Sequence, residues 1–382
     1  MFPPRLNVHL FNKSINSFHF FGVIGFALGL ILGLLLSAQL QLKASIVLLL
    51  GAIGAATFFG MAFLAKKITG GETIVYYHHE VTIILLCFVV LILLKEPVLP
   101  YLDITILGIG TFLAFGRIGC YSVGCCHGRP HKHGVKYGKE HVEAGFTWYY
   151  QDVKLLPVQL VESGYVALTV AACIILLVNK VSPGTVLLFY TVIYGLFRFI
   201  LEFFRGDPER ALWMGVSEAQ WTTILLIVIT FCISFFGWLP LYFWHWVVIL
   251  VLIIISSLRI IHFHRNISQQ LVNSRHIKEL ADGLAVLDDV VRNPGINTEQ
   301  INIYNTSSGF ALSRGQHENN GRYEYFYTVS YKKQLTIETL RRIALVLKLV
   351  NKHYSDFSIK EGQNNIYHIL FRGNTAGAES KE

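Results

Sequence analysis

The sequence predicts an all-α polytopic membrane protein of seven to eight transmembrane helices, followed by a small soluble α+β C-terminal domain. Three observations predict it. Of the 382 residues 53% are apolar and only 15% charged, where a soluble domain carries about 25% charged residues. The charge is uneven: residues 1–264 hold 17 Lys/Arg and 12 Asp/Glu, whereas the much shorter stretch 265–382 holds 15 and 12. Apolar runs of membrane-crossing length recur throughout the first part and are missing from the second. An ordinary cytosolic enzyme is excluded. The net charge of +8 is spread without the dense basic stripe that nucleic acid needs, so no nucleic-acid partner is expected. A membrane surface or a phosphate-bearing substrate fits it better.

A bilayer core of about 30 Å takes roughly 20 apolar residues per helix. Segments that meet or nearly meet this run over 18–40, 45–65, 81–99, 104–119, 158–178, 185–204, 221–238 and 241–261. The first is long and glycine-rich (Gly22, Gly25, Gly29, Gly33), with no small-residue cleavage pattern after it, so it is expected to be retained rather than removed as a signal peptide. Gly51, Gly54 and Gly60 give the second a small-residue face for close helix packing. Two connections stand out. The stretch 117–157 is some 40 residues of Gly, His, Lys and Tyr between two spans, a length usually functional or disordered; the stretch 205–220 is short and charged.

After Arg265 the pattern changes. Leu271, Ile277, Leu280, Leu284 and Leu287 repeat at the period of an amphipathic helix over 267–291, which the breaker Asn293-Pro294-Gly295 ends. Residues 323–331 alternate aromatic and polar as a strand does. Thr336 is placed to cap a second helix over 336–354, and 366–371 reads as a closing strand. The domains are therefore 1–264 in the membrane, 265–372 soluble, and 373–382 a disordered tail. All six cysteines (Cys87, Cys120, Cys125, Cys126, Cys173, Cys232) precede the soluble part, which argues against a disulfide-stapled secreted domain.

Four clusters carry chemistry. The sharpest is Gly116-Arg117-Ile118-Gly119-Cys120-Tyr121-Ser122-Val123-Gly124-Cys125-Cys126-His127-Gly128-Arg129-Pro130. An arginine at the end of a hydrophobic helix is expensive unless it snorkels, pairs or binds an anion, and the glycines let backbone approach a ligand closely. This suits a lipid phosphate; a snorkelling arginine above a flexible turn is the plain alternative. The second cluster places Arg198, Glu202 and Arg205 four and three apart, so they share one face of an apolar helix. An internal Arg198–Glu202 ion pair is as good a reading there as substrate contact, and Arg205 at the boundary is the better ligand candidate. The third is Tyr76-Tyr77-His78-His79-Glu80 at the head of a span, where a histidine could act as general base for a thiol or hydroxyl, with Glu80 near enough to influence it. An interfacial polar cap is the competing reading. The fourth, Pro157-Val158-Gln159-Leu160-Val161-Glu162, puts Gln159 and Glu162 three apart on one face.

In this order the four clusters resemble the prolipoprotein diacylglyceryl transferase family over roughly residues 18–238. The matching residues are Gly116-Arg117-Ile118-Gly119, Gly124, Gly128-Arg129-Pro130, Pro157 with Gln159 and Glu162, and Arg198, Glu202, Arg205, Asp207, with Ser217 and Gln220 at the entry to the last family span. The resemblance implies a multi-pass enzyme of the bacterial plasma (inner) membrane that moves the diacylglyceryl group of phosphatidylglycerol to the lipobox cysteine of a prolipoprotein, among membrane lipids and without a cofactor. It implies that Arg117 and Arg205 engage the head group and that His78 is the base, with Gly116, Gly119, Gly124, Gly128, Arg129, Gln159, Glu162, Arg198 and Glu202 binding substrate. The chain also departs from the family. Cys120 stands where the signature has Asn, Val123 replaces a later Asn, Cys125 replaces an acidic residue, and His79 and Glu80 replace two glycines after the histidine.

Cys120, Cys125, Cys126 and His127 lack the Cys-x2-Cys pair of structural zinc sites. They are read as small neutral residues packing a lipid-binding turn, and no metal is expected. The helix before each arginine supplies no nucleophile, so the acceptor thiol is expected to attack the glycerol carbon directly and expel glycerol phosphate. A non-catalytic phospholipid-binding or assembly protein, or a related transferase with another acceptor, is the competing class. Loss of His78 discriminates, since it stops an enzyme and leaves a binder intact. Counting Lys/Arg in the connections, an inside N-terminus leaves mostly Lys43, Lys95 and Lys180 outside. The resemblance implies the reverse, with the signature loops on the outer face, and that orientation is expected because substrate then explains the loop charges. Eight spans would place the tail outside and seven inside.

Overall fold

The computed structural model describes residues 3–10, 13–70, 76–208, 210, 212–265, 271, 273–292, 303–319, 322–350 and 354–373. A hairpin of β1 (Asn7–Leu10) and β2 (Lys13–Asn16) precedes helix α1 (Ser17–Gln39), which Asn16 caps by accepting from the Phe18 amide. Then follow α2 (Ala44–Thr69), α3 (Tyr76–Leu93), α4 (Val98–Val123), β3 (Pro130–Val135) and the short α5 (Lys139–Glu143). Helices α6 (Val158–Val178) and α7 (Thr185–Leu201), strands β4 (Leu212–Trp213) and β5 (Val216–Ser217), and helices α8 (Glu218–Phe235) and α9 (Trp244–Arg265) complete the apolar part. Among the described residues seven helices are long and apolar enough to cross a membrane, and α3 is a shorter apolar helix.

The helix limits show how polar residues mislead a count of apolar runs. The third and fourth runs predict a break at 99–104, near Asp103. The break lies at 94–97 instead, where Lys95 takes a left-handed φ of 56° and Pro97 caps α4. Asp103 is buried inside α4 at 1% exposure. Its carboxylate accepts from the Gly184 and Leu187 amides, both at 2.7 Å, and so satisfies the orphan donors at the start of α7. A charge that reads as a loop is the N-terminal cap of another helix.

The chain divides into two compact units. One comprises Met1–Lys136, Lys154–Arg205 and Val216–Ser257; the other comprises Tyr137–Val153, Gly206–Gly215 and Leu258–Glu382. In the first unit α4 is the central element, packing on α1 and α6, with α7 against α6 and α8. Gly25, Gly29 and Gly33 are buried along α1, as its small-residue face predicts. The core between these helices holds Leu107, Val166, Cys173, Val186, Tyr190 and Tyr194.

In the second unit, strands β6 (Ile303–Asn305), β7 (Ala311–Asn319), β8 (Arg322–Ser330), β9 (Tyr354–Glu361) and β10 (Ile366–Gly373) form one antiparallel sheet in the order β6-β7-β8-β10-β9. Two helices, Ser274–Arg292 and Ile337–Val350, supply Leu280, Leu284, Ile343 and Leu347 to a core shared with Phe310, Tyr327 and Phe371 of the sheet segment. Thr336 caps the second helix by accepting from the Thr339 amide at 3.3 Å. The turn Trp148–Tyr150 packs beside Ile337–Val350, so part of the loop after the signature shares a unit with the tail. The start of the first tail helix at 267–270, the breaker at 293–295, the end of the second helix at 351–353 and the segment 374–382 lie outside the described residues.

Candidate active site

Charged side chains from α4, α6 and α7 meet inside the first unit. Arg117, six residues before the end of α4, is 6% exposed, and its Nε lies 2.9 Å from Glu162 Oε2 on α6. The other oxygen of Glu162 accepts from the Tyr194 hydroxyl at 2.9 Å and stands 3.7 Å from Arg198 Nε, both on α7. Arg198 Nη2 reaches Glu202 Oε1 at 2.6 Å. Glu202 Oε2 in turn accepts from Ser217 Oγ at 2.9 Å. Ser217 is the N-cap of α8 and completes a capping box with Gln220, whose Nε2 also donates to the Phe199 carbonyl at 3.0 Å. Each carboxylate thus has both oxygens engaged, which is what a buried charge in a low-dielectric interior requires.

This network assigns several predicted residues. Arg117 is held by Glu162 and does not simply snorkel. Arg198 and Glu202 form the internal ion pair that their spacing allows. Arg205 corrects the sequence reading, because it does not continue the helical face of Arg198 and Glu202. Helix α7 stops at Leu201, residues Glu202–Phe204 tighten into a 3-10 turn, and Arg205 is extended at φ −69°, ψ 144°. It pairs as an isolated antiparallel bridge with Gly128. Arg129 fastens the same strand-like contact, its amide donating to the Phe204 carbonyl at 3.1 Å and its Nε to the Arg205 carbonyl at 3.2 Å. Arg129 therefore sits on the Arg205 backbone.

The glycines make room mainly for protein. Gly124 ends α4 in the left-handed region at φ 86°, its amide donating to the Cys120 carbonyl at 3.0 Å. A Cβ on Gly128 would meet the Leu156 carbonyl oxygen at 2.5 Å, and one on Gly119 would come 3.0 Å from Phe18 Cα. A Cβ on Gly116 would meet nothing within 4 Å. Gln159 donates from Nε2 to the Cys125 carbonyl at 2.8 Å and so ties α6 to the turn after α4.

That turn folds three sulfurs together. The Sγ atoms of Cys120, Cys125 and Cys126 all lie within 4.8 Å of one another, although no Cys-x2-Cys pair announces them. Hydrogen bonding from the Cys120 and Cys125 thiols, then the positive charges of Arg205 and Arg117, lower the Cys126 thiol well below its ordinary range against the opposing effect of burial. Both boundary arginines are thus near Cys126. His127 turns away, its Nδ1 2.9 Å from the Gly128 carbonyl.

At the head of α3, His78 is exposed while His79 is buried, its ring 5.0 Å from that of Phe58. The acid that faces His78 is Glu218, in the first turn of α8, with Oε1 3.2 Å from His78 Nε2. Glu80, which adjacency suggests for that role, is buried. Tyr77 points inward, bonding Thr223 Oγ1 at 2.9 Å with its ring 6.1 Å from that of Tyr194. Sequence reasoning missed Glu218 and Tyr194. The position of Tyr194, four before Arg198, was the available signal for it; Glu218 had none beyond following a cap.

The profile of the family described as prolipoprotein diacylglyceryl transferase matches residues 6–236. The chain is similar to the phosphatidylglycerol-prolipoprotein diacylglyceryl transferase of Clostridium tetani, 32% identical over 132 residues, which are 35% of this chain and 51% of that protein. It is 27% identical over 137 residues to phosphatidylglycerol-prolipoprotein diacylglyceryl transferase 2 of Clostridium perfringens, 35% of this chain and 50% of that one. A third relative of the same name, from Campylobacter lari, is 26% identical over 147 residues, 37% of this chain and 49% of its own length. The chain spans about half the length of the curated relatives it matches. With the family profile covering well over half of the chain, and its residues gathered around the Arg117–Glu162 pair, the chain belongs to the prolipoprotein diacylglyceryl transferase family.

Proposed function

We propose that this protein is a transferase of the bacterial plasma (inner) membrane that moves the diacylglyceryl group of phosphatidylglycerol to the lipobox cysteine thiol of a prolipoprotein. The observation that carries the reading is that Arg117, near the end of α4, and Arg205, bridged to Gly128, flank the same turn. One comes from inside a helix and is oriented by Glu162. The other comes from extended backbone fastened to Gly128 and Arg129. A guanidinium keeps its charge at any working pH and offers phosphate a planar fork, so two held in place supply a head-group site. The family and the names of the relatives support the substrate.

In this reading the acceptor sulfur attacks the glyceryl carbon that bears the phosphate ester. A C–S bond forms, the C–O bond breaks, and its electron pair leaves with glycerol phosphate, whose charge the arginines stabilise as it develops. His78, exposed and oriented by Glu218, takes the thiol proton. The test is transfer from labelled phosphatidylglycerol in membranes, with protein level and lipid co-purification followed for each variant. Transfer should fall sharply in His78→Gln while lipid still co-purifies; unchanged transfer there and in both Arg117→Ala and Arg205→Ala would overturn the reading.

A further inference from the structure

We propose that Cys120, Cys125 and Cys126 bind a zinc ion whose fourth position takes the thiol of the acceptor. The inference rests on the transferase reading and adds to it a metal that would hold the acceptor sulfur and lower its pKa while His78 takes the proton. In a tetrahedral zinc–thiolate site, Zn–S bonds of about 2.3 Å set the sulfurs about 3.8 Å apart. Here the three Sγ atoms already lie within 4.8 Å of one another.

The backbone is shaped to bring these sulfurs together. Cys120 sits on the last turn of α4, Gly124 reverses the chain in the left-handed region, and Gln159 clamps the Cys125 carbonyl. Cys126 itself is left-handed at φ 57°, a conformation that strains any side chain and that glycine would adopt without cost. A cysteine in that position places its sulfur against the other two. The charges also balance. Three thiolates and a divalent ion carry one net negative charge, and Arg205, whose backbone bridges Gly128 two residues after Cys126, supplies a positive charge near the same turn. Three protein ligands with one side open is the pattern of catalytic zinc, whereas structural sites fill all four positions. Of the three, Cys120 is buried and Cys125 exposed, so an acceptor would approach from the Cys125 side.

A thiol that binds zinc is deprotonated and remains a nucleophile. The acceptor would lose its proton to His78 on binding and attack the glyceryl carbon as a thiolate; the C–O bond to the phosphate breaks as the C–S bond forms, and the thioether formed is a poor ligand that dissociates. No oxidant or reductant enters. Cys120 and Cys125 occupy positions where the family signature has Asn and an acidic residue, so this device would be a property of this chain and not of the family pattern.

The experiment uses the full chain, purified in detergent with reductant and without a histidine tag. Metal analysis should find about one zinc per chain, and Cys120→Ser or Cys126→Ser should lower zinc affinity by about 10- to 100-fold or more. Cobalt exchanged into the wild-type protein should show thiolate-to-cobalt absorption that shifts when a lipobox peptide bearing Cys is added and not when its Ser counterpart is. Should a Ser variant fail to fold, wild-type protein stripped with a chelator gives the same reading through loss and zinc-dependent return of transfer. A disulfide among the three cysteines, zinc retained in the Ser variants, or full transfer by metal-free protein would overturn the proposal while leaving the transferase reading intact. Zinc bound with the peptide-dependent shift but no transfer from labelled phosphatidylglycerol would do the opposite.

Discussion

Both units bury an apolar core, but they treat charge and exposed apolar surface differently. In the first, Arg117, Glu162, Arg198 and Glu202 are buried while Phe59, Phe63 and Leu168 are more than 70% exposed. In the second, Phe310, Tyr327, Ile343 and Phe371 are fully buried, and ion pairs such as Arg342–Glu338 stay at the surface. The hydrophobic effect drives the second arrangement because water is the solvent to be escaped. In the first it has no purchase, since lipid is as apolar as the core, and buried polar contacts and close packing must hold the helices together. Removing a buried charge should therefore damage the first unit far more than any comparable change at the surface of the second.

The largest expected effect follows from Glu162, which serves Arg117, Arg198 and Tyr194 at once. Glu162→Ala leaves the buried Arg117 without its carboxylate and Arg198 with Glu202 alone, and removing one partner of a buried pair costs about 3–5 kcal/mol. The variant should show a marked fall in membrane-inserted protein and in the thermal midpoint of the solubilised protein, with Glu162→Asp intermediate. Wild-type stability in Glu162→Ala would break the comparison, because the network would then be ornamental.

Next come the boundary arginines. A charge-assisted hydrogen bond to phosphate contributes about 1.5–3 kcal/mol, so Arg205→Ala should reduce transfer from labelled phosphatidylglycerol on the order of 10- to 100-fold. Arg205→Lys keeps the charge without the fork and should rescue in part. Arg117→Ala should lose as much transfer and also lower protein level, because it takes the partner of Glu162 Oε2 away. That difference between the two variants sharpens the assignment of Arg117 to both structure and substrate. Arg129→Lys, which touches backbone, should cost less than either.

A chain ending at Arg265 tests whether the two units are separable in function. All candidate ligands precede it, so a truncation that inserts normally should keep most of its transfer. Because the turn Trp148–Tyr150 loses its neighbour Ile337–Val350, increased proteolysis of the 137–153 loop is expected alongside. A reporter in that loop and one in the tail should read the same membrane face, since both segments belong to one unit.

Much of this was legible in the chain itself. Long apolar runs mark their own helices because the bilayer demands length and composition together, and the tail helices announce themselves by period. Arg198 and Glu202 were legible as a pair because four residues of helix bring them together. What escaped depended on distant parts of the chain meeting, or on a turn with no repeat to announce it. Asp103 reads as a boundary until it meets the start of α7, 81 residues away. Arg205 reads as helical until its backbone finds Gly128, and the sulfur cluster needs a left-handed glycine and a left-handed cysteine in one turn. Glu218 meets His78 only through the packing of α8 against α3. Periodicity reports regular repeats: the Asp103, Arg205 and Glu218 contacts are long-range, and the sulfur cluster is a turn without a repeat.

The smallest effect concerns His276 in the tail. Its ring is 3% exposed, one nitrogen lies 3.0 Å from Thr306 Oγ1 and the other contacts the Leu271 carbonyl. Burial lowers its pKa below the ordinary imidazole value, with the Leu271 carbonyl and Glu279 opposing. The unfolded tail, with histidine near about 6.5, therefore takes up a proton that the folded tail refuses as pH falls through that value. Since stability rises with pH wherever the unfolded state binds more protons, the tail should be more stable at pH 7.5 than at pH 5.5. Hydrogen exchange over Ser274–Arg292 reads this in the full chain, and comparing variant with wild type at each pH cancels the intrinsic exchange rate. His276→Gln should be less stable than wild type at pH 7.5 and should flatten the dependence. An unchanged slope in the variant would move the titration to another group and remove the one pH-sensitive element assigned to the second unit.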